Sequence, residues 1–269
     1  MDLSIIIVNY KSKKKLESCL DSILKADNQG LDYEILLVEN NSGEDLNDLA
    51  KLNPNIRLLN LKKNLGMGGG NNCGLEKAKG KYIFVLNPDT VIKNGAIVTL
   101  LNYLKSHPDT GIVGPKLLNP DNSLQYSCFH FPKLYMPILR RTFLGKYFPA
   151  IRDSFQMTDY NHNSIKEVDW MLGSSLMFKK ELILSDGQVW HPHFDERYFM
   201  YFEDTDICRT FWSKGFKVVY NPEAVLVHDH ARQSAKYPWY SAIFLDPLAR
   251  RHIGSWLKYF RKWGFKQGA

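Results

Sequence analysis

Tyr82-Ile83-Phe84-Val85-Leu86-Asn87-Pro88-Asp89-Thr90 is the stretch whose reading decides the fold. Its short, unbroken apolar run reads as a strand buried on both faces. The run stops at Asn87, and Pro88 fixes the local backbone, so Asp89 is expected at a strand end facing a cleft. Ser4–Val8 and Glu34-Ile35-Leu36-Leu37-Val38 are runs of the same kind, and Ile56–Leu61 is a shorter one. Between the first two, Leu16, Cys19, Leu20, Ile23 and Leu24 recur at helical spacing. Leu75–Lys79 reads as the close of a helix stopped by Gly80. Ile97, Leu100, Leu101 and Leu104 mark a helix over Gly95–Lys105, capped by Asn94. Strands alternating with helices predict an α/β fold with a mostly parallel sheet. In such sheets ligands gather beyond the carboxyl ends of the strands.

Those ends are polar or glycine-rich. They read Asn9-Tyr10, Glu39-Asn40-Asn41-Ser42, Asn64-Leu65-Gly66-Met67-Gly68-Gly69-Gly70-Asn71-Asn72 and Asn87-Pro88-Asp89-Thr90. The glycines do not spell the dinucleotide fingerprint, because Asn71 stands where its third glycine belongs and the stretch follows a later strand. A nicotinamide-linked oxidoreductase is therefore disfavoured. The stretch reads as a loop whose backbone, at Gly66 and Gly70, comes close to a bulky ligand at a helix start. Asn64 and Asn72 would supply hydrogen bonds; a flexible turn is the plainer alternative. Asp89 alone would be a turn or cap residue. A hard cation bridging a diphosphate, however, needs only one or two protein carboxylates.

Residues 120–165 are rich in aromatics, Pro and Asn and are expected to form loops and short helices. Order returns at Val168–Phe178 and Val218–Val227. In between, Phe202-Glu203-Asp204-Thr205-Asp206 opens a helix. An acidic first turn is favoured by the helix dipole alone. Here Tyr198, Phe199, Tyr201 and Phe202 would also desolvate a carboxylate and raise its pKa toward the working range of a general base. His228 and His230 follow the Val218–Val227 strand. His191 and His193, separated by Pro192, suit a loop or packing role.

The chain has 269 residues, of which 44% are hydrophobic and 23% charged, which excludes a disordered tail protein or a disulfide-stapled mini-protein. No apolar run approaches the roughly 18–20 residues of a membrane span, and the start reads as a buried strand rather than a signal peptide. Cys19, Cys73, Cys128 and Cys208 are dispersed, so neither zinc nor a disulfide framework is suggested and a reducing, cytoplasmic setting fits. The net charge is +7. Part of it lies at Arg250, Arg251, Lys258, Arg261, Lys262 and Lys266, interleaved with Trp256, Leu257, Phe260 and Trp263 at helical spacing. Two readings stay open for this tail: a helix packed on its own domain or on a second copy in a homodimer, and an anchor on an anionic membrane surface. Nucleic acid is not expected, because no recognition motif accompanies the charge.

Taken in order, Val38-Glu39-Asn40-Asn41-Ser42, the glycine stretch, Leu86-Asn87-Pro88-Asp89-Thr90 and Phe194-Asp195-Glu196-Arg197-Tyr198-Phe199-Met200-Tyr201-Phe202-Glu203-Asp204-Thr205-Asp206 resemble the successive motifs of family 2 glycosyltransferases. The nearest likeness is to the rhamnosyltransferase-like branch, and it runs from about residue 4 to residue 234. The resemblance implies a GT-A fold, with a Rossmann-like, mostly parallel sheet over residues 1–235. Residues 1–115 would bind the nucleotide-sugar, 116–235 the acceptor, and 236–269 form a helical extension. It implies an inverting sugar transfer from dTDP-rhamnose as first donor, with a UDP-hexose or UDP-galactofuranose as the alternative. The acceptor would be a hydroxyl of a glycan or lipid-linked saccharide at the inner face of the membrane.

By the same resemblance Asp204 is the base and Glu203 orients the acceptor. Asn9, Glu39, Asn64, Gly66, Gly70, Asn72, Asn87 and Asp89 line the nucleotide-sugar site, with Glu39 as the base-contacting acid. Arg232, with Ser234, holds diphosphate oxygens. Asn87-Pro88-Asp89 stands for the metal-binding D-x-D, with Asn87 in place of the first acid, so that Asp89 and His228 would hold Mn²⁺ or Mg²⁺. Gly173 and Ser174 line the acceptor side, where Trp170 would stack on a sugar face; core packing of Trp170 is the equal alternative. A catalytically silent nucleotide-sugar-binding protein would keep the glycine stretch and Asp89 but lack a working base.

Overall fold

The computed structural model describes residues 1–26, 28, 30–136, 147–229 and 246–264. Strands β1 (Leu3–Asn9), β2 (Tyr33–Glu39), β3 (Ile56–Asn60) and β4 (Tyr82–Leu86) alternate with helices α1 (Lys13–Lys25), α2 (Asn47–Ala50) and α3 (Gly66–Lys77). Then come β5 (Thr90–Ile92), α4 (Ala96–Ser106) and β6 (Thr110–Leu118). Among the described residues the expected irregular middle holds β7 (Leu124–Gln125), β8 (Cys128–Phe129) and helix α5 (Pro149–Phe155), and β9 (Lys166–Glu167) and β10 (Trp170–Met171) follow it. The remaining elements are β11 (Ser175–Lys179), β12 (Leu182–Ile183), β13 (Val189–Trp190), α6 (Glu203–Ser213), β14 (Lys217–His228) and α7 (Pro247–Trp263).

The central sheet runs β3-β2-β1-β4-β11-β6-β14-β5, with β7 and β9 attached to β6 and β14. The first four strands are mutually parallel, as are β6 and β14, while β11 and β5 run against their neighbours. Because β11 opposes β4, its first residue, Ser175, pairs with the last residue of β4, Leu86. His228, which ends β14, pairs with Thr90, which begins β5. One edge of the sheet therefore collects Asn9, Glu39, Leu86, Ser175 and His228.

Side chains alternate across each strand. Ile6, Val8, Leu36, Val38, Ile83 and Val85 pack with Leu75 of α3 and with Ile207 and Phe211 of α6. Ile5, Ile7, Ile35, Leu37, Phe84 and Leu86 pack with Leu16, Leu20 and Ile23 of α1 and Leu100 and Leu104 of α4. Burial on both faces is why these strands are uniformly apolar.

Several expectations change. The glycine stretch is helix, not loop: Gly66, Gly68, Gly69 and Gly70 all lie in α3, which ends at Lys77 rather than Gly80. Glycine costs a helix roughly 1 kcal/mol relative to alanine, so propensity alone would not place it there. Close packing does. A β-carbon at Gly70 would lie 2.8 Å from Val8 Cγ1, and one at Gly74 2.5 Å from Ile6 Cγ2, so the glycines let α3 settle onto β1. At the head of α4 the cap position is Gly95, in the left-handed region, and not Asn94.

The tail helix α7 packs on its own chain. Tyr259 and Phe260 are buried with Tyr198 and Phe202, and Trp256 and Trp263 pack at the margin. Asp246 caps α7 by accepting from Leu248 N, with Pro247 in the first turn. The aromatics expected at a membrane are thus largely spent on the protein interior.

Candidate active site

At the sheet edge, Asn87 N donates to Ser174 O at 2.8 Å, and Gly173 N donates to Asp204 Oδ2 at 3.0 Å. The turn after β4 and the first turn of α6 are therefore joined through two consecutive residues, Gly173 and Ser174. Asp204 Oδ1 accepts from Thr205 N at 2.7 Å. Asn87 Oδ1, Ser174 Oγ and Glu203 Oε2 are buried with no hydrogen-bond partner among the described residues. Unsatisfied buried polar atoms are uncommon, and three around one connection mark a ligand site.

The carboxyl pair is set up by burial. Desolvation, then the Asp204 charge beside it, pushes Glu203 up to about 8. Burial also raises Asp204, although the Gly173 and Thr205 amides pull it part of the way back. Two such groups do not ionise together readily. Amide donors favour the anion on Asp204, and Glu203 keeps the proton.

Around Asp89, burial pushes the carboxyl up, but the His228 imidazole and the Lys15 ammonium outweigh it and hold the group below the usual Asp range. His228 Nε2 lies 3.3 Å from Asp89 Oδ1, and Lys15 Nζ 4.0 Å from Asp89 Oδ2. Lys15 also pairs with Asp229 at 2.9 Å. Gln125 Nε2 donates to Asn119 Oδ1 and His228 O, which turns its Oε1 toward His228 Nδ1 at 2.6 Å. Gln125 thus holds the ring so that the Nε2 edge of His228 faces Asp89.

An imidazole nitrogen 3.3 Å from a carboxylate oxygen is a donor pair of the kind that suits a divalent cation whose other ligands are phosphate oxygens and water. No cluster of three or more His, Cys, Asp or Glu forms a metal site among the described residues. Asp89 and His228 are the two side chains here whose chemistry suits a cation completed by a diphosphate.

Other expected site residues serve the protein itself. Asn64 Oδ1 accepts from Gly66 N and Asn40 Nδ2, and Asn72 grips Phe194 through its N–H and its carbonyl at 2.8 Å each. Gly66 has φ +74, and a β-carbon there would lie 1.9 Å from Phe199 O, so its close partner is protein backbone. Glu39 accepts from Ser42 N and Ser42 Oγ, closing the turn after β2. Asn9 donates to Glu44 Oε2 at 2.8 Å. Trp170 is 7% exposed, stacks on Phe129 at 4.6 Å and donates from Nε1 to His130 O. Its ring was equally suited to core packing, which won. Arg232, Ser234 and His230 lie outside the described residues.

Sequence reading missed Lys15, Gln125, Asn40 and Glu44. Lys15 is one of three consecutive lysines, and nothing in its local pattern marks it. Asn40 sits within the strand-end motif Glu39-Asn40-Asn41-Ser42, and its polar character at a strand end was the one usable signal. Its side chain binds Asn64, Leu65 and Gly66.

The Glycosyl transferase family 2 profile matches residues 4–162. The chain is 29% identical over 276 residues to an N-acetylglucosaminyl-diphospho-decaprenol L-rhamnosyltransferase of Mycobacterium tuberculosis, covering 94% of this chain and 86% of that one. It is 24% identical to Rhamnosyltransferase WbbL of Escherichia coli K12, covering 93% of each. Among solved structures, GalNAc-T7 with UDP, GalNAc and Mn²⁺ superposes with a TM-score of 0.63 at 14% identity, over 90% of this chain and 47% of that one. This chain thus spans about half of the GalNAc-T7 chain. Staphylococcus aureus TarS 1–349 superposes with a TM-score of 0.57 at 15% identity, over 98% and 73%. The sheet is that of the GT-A fold, and the chain belongs to glycosyl transferase family 2 and is a glycosyltransferase.

Proposed function

We propose that the protein is an inverting transferase that moves L-rhamnose from dTDP-rhamnose to a hydroxyl of a lipid-linked saccharide, in the assembly of a bacterial cell-surface polysaccharide. The observation that carries this reading is the Gly173 N to Asp204 Oδ2 hydrogen bond. It sets a carboxylate one residue from Ser174, whose carbonyl holds Asn87 of the Asn87-Pro88-Asp89 turn. A base for an alcohol and an acid suited to a bridging cation thus share one sheet edge.

Asp204 takes the proton from the acceptor hydroxyl as that oxygen attacks the anomeric carbon. The nucleoside diphosphate leaves from the opposite face, so the configuration inverts. Base assistance of this kind is worth on the order of 10²–10⁴-fold. Glu203, protonated, is a donor for orienting the acceptor. Asp89 and His228 would hold the divalent cation, Mn²⁺ or Mg²⁺, which stabilises charge on the departing diphosphate. Lys15 adds a positive charge beside Asp89.

Rhamnose as donor sugar draws support from the names of the Mycobacterium and Escherichia relatives, and a lipid-linked acceptor from that of the Mycobacterium relative. No helix among the described residues is long and apolar enough to cross a membrane. On α7 the exposed Arg250, Leu257 and Arg261 suit a peripheral contact with anionic lipid at the inner face of the membrane.

A thermal-shift panel of dTDP, UDP, GDP and ADP with Mn²⁺ or Mg²⁺ tests the reading, followed by turnover of the matching nucleotide-sugar. The expected result is the largest stabilisation by dTDP with Mn²⁺ and release of dTDP from dTDP-rhamnose. A UDP optimum moves the donor to a UDP-hexose or UDP-galactofuranose. Binding without turnover on any donor leaves a silent binding protein and overturns the catalytic reading.

A further inference from the structure

Asp206 lies two residues beyond Asp204 in α6, about 200° around the helix. It is only 2% exposed. Its Oδ2 accepts from Lys262 Nζ at 2.7 Å, and its Oδ1 from Trp263 Nε1 at 2.7 Å and Tyr198 OH at 3.2 Å. Lys262 and Trp263 form the last turn of α7. Further along α6, Arg209 donates to Tyr259 OH at 3.0 Å, and its guanidinium lies over the Trp263 ring at 5.1 Å.

The same helix grips the segment leading into α6. Ser255 Oγ donates to Met200 O at 2.8 Å, Lys258 Nζ to Arg197 O at 2.7 Å, and Arg251 lies over the Phe199 ring at 4.3 Å. That segment ends with Tyr201 and Phe202 at φ 68° and 69°. Bulky residues hold this left-handed backbone only where the surroundings enforce it. A partly buried ion pair such as Asp206–Lys262 contributes little net stability, and the best-attested use of such a pair is to fix register.

We propose that Asp206, Lys262 and Trp263 form a positioning unit for the base. By pinning one side of the first turn of α6 to α7, they fix the rotation that presents Asp204, on the other side, to Gly173 and to the reacting hydroxyl. The α7 helix is then part of the catalytic apparatus and not an appendage. The inference rests on the reading of Asp204 as the base.

The test uses the full chain with Lys262→Met, Lys262→Arg and Trp263→Phe. Turnover is read as release of nucleoside diphosphate from the nucleotide-sugar that the panel selects. Lys262→Met and Trp263→Phe are expected to lower kcat by on the order of tenfold or more, with KM for the donor within about twofold. Lys262→Arg, which keeps a cationic donor, is expected to recover most of the loss. Wild-type kcat in folded Met and Phe variants, a change confined to KM, or failure of Lys262→Arg to rescue overturns the proposal. Should Lys262→Met not fold, Trp263→Phe decides, since it keeps an aromatic side chain and removes the N–H donor to Asp206. Asp204→Asn runs alongside. Retained turnover there rejects the base assignment itself, whereas an inactive Asp204→Asn beside fully active 262 and 263 variants rejects only the positioning unit.

Discussion

The backbone amide of Gly173 donates to Asp204 Oδ2 over 3.0 Å, and a β-carbon at position 173 would fall 2.9 Å from Asp204 Cβ. Only glycine permits this approach. Gly173→Ala should push the base off its donor while leaving the core untouched. We expect kcat to fall about 10²-fold, the cost of a displacement of roughly 1 Å, with little change in Tm. Steady-state turnover and a thermal melt check both parts.

Asp204→Asn removes the proton acceptor and keeps the shape. Turnover should drop by about 10²–10⁴-fold, while nucleotide affinity survives. Calorimetric titration with the nucleoside diphosphate distinguishes this from a damaged site: lost affinity in a folded variant counts against the assignment.

The carboxyl pair makes a signed prediction about pH. Burial raises Asp204 above the ordinary Asp range, so activity should rise as pH climbs through that raised value. Burial and the neighbouring Asp204 charge place Glu203 at about 8, so activity should fall again as Glu203 loses its proton near there. Glu203→Gln should keep the acid limb and abolish the fall. Stability follows the same sign. A carboxyl whose folded value is raised stabilises the native state fully below its unfolded value, near 4.3, and loses that contribution as pH rises toward about 8. Melts of the wild type and Glu203→Gln across that window should converge at low pH and separate at high pH.

Asp89→Ala takes away one of the two groups suited to a cation. Nucleoside diphosphate binding should weaken, and the difference between affinities with and without Mn²⁺ should shrink. Calorimetry in Mn²⁺ and in chelator measures it. A metal increment as large as that of the wild type would exclude Asp89 as a ligand.

Gly66→Ala tests the packing of α3 against the segment before α6. The position has φ +74, and the added carbon would lie 1.9 Å from Phe199 O. Strain and overpacking together should cost about 3 kcal/mol, lowering Tm by several degrees. An unchanged Tm would show that the segment yields freely.

The strands were legible because burial on both sheet faces forces continuous apolar runs. Tyr82–Leu86 was read to the residue. The α3 helix was not legible past its last turn, because glycine reads as loop wherever the neighbour that requires it is unknown; Val8 and Ile6, which require Gly70 and Gly74, are some sixty residues away in sequence. Trp170 was ambiguous for a related reason: an aromatic side chain serves a sugar or a core equally well until Phe129 and His130 are seen beside it.

By itself the chain determined the order of β1 to β4 with α1 and α4, the polar strand ends and the acidic start of α6, since each follows from local periodicity and from residues adjacent in sequence; β5 and β6 were not legible. Tertiary structure alone decided that Gly173 touches Asp204, that His228 faces Asp89, that Lys15 reaches the same carboxylate and that α7 closes on Asp206. These contacts join residues separated by tens to hundreds of positions. Their geometry comes from the reversal of β11 against β4 and of β5 against β14, which local sequence does not encode.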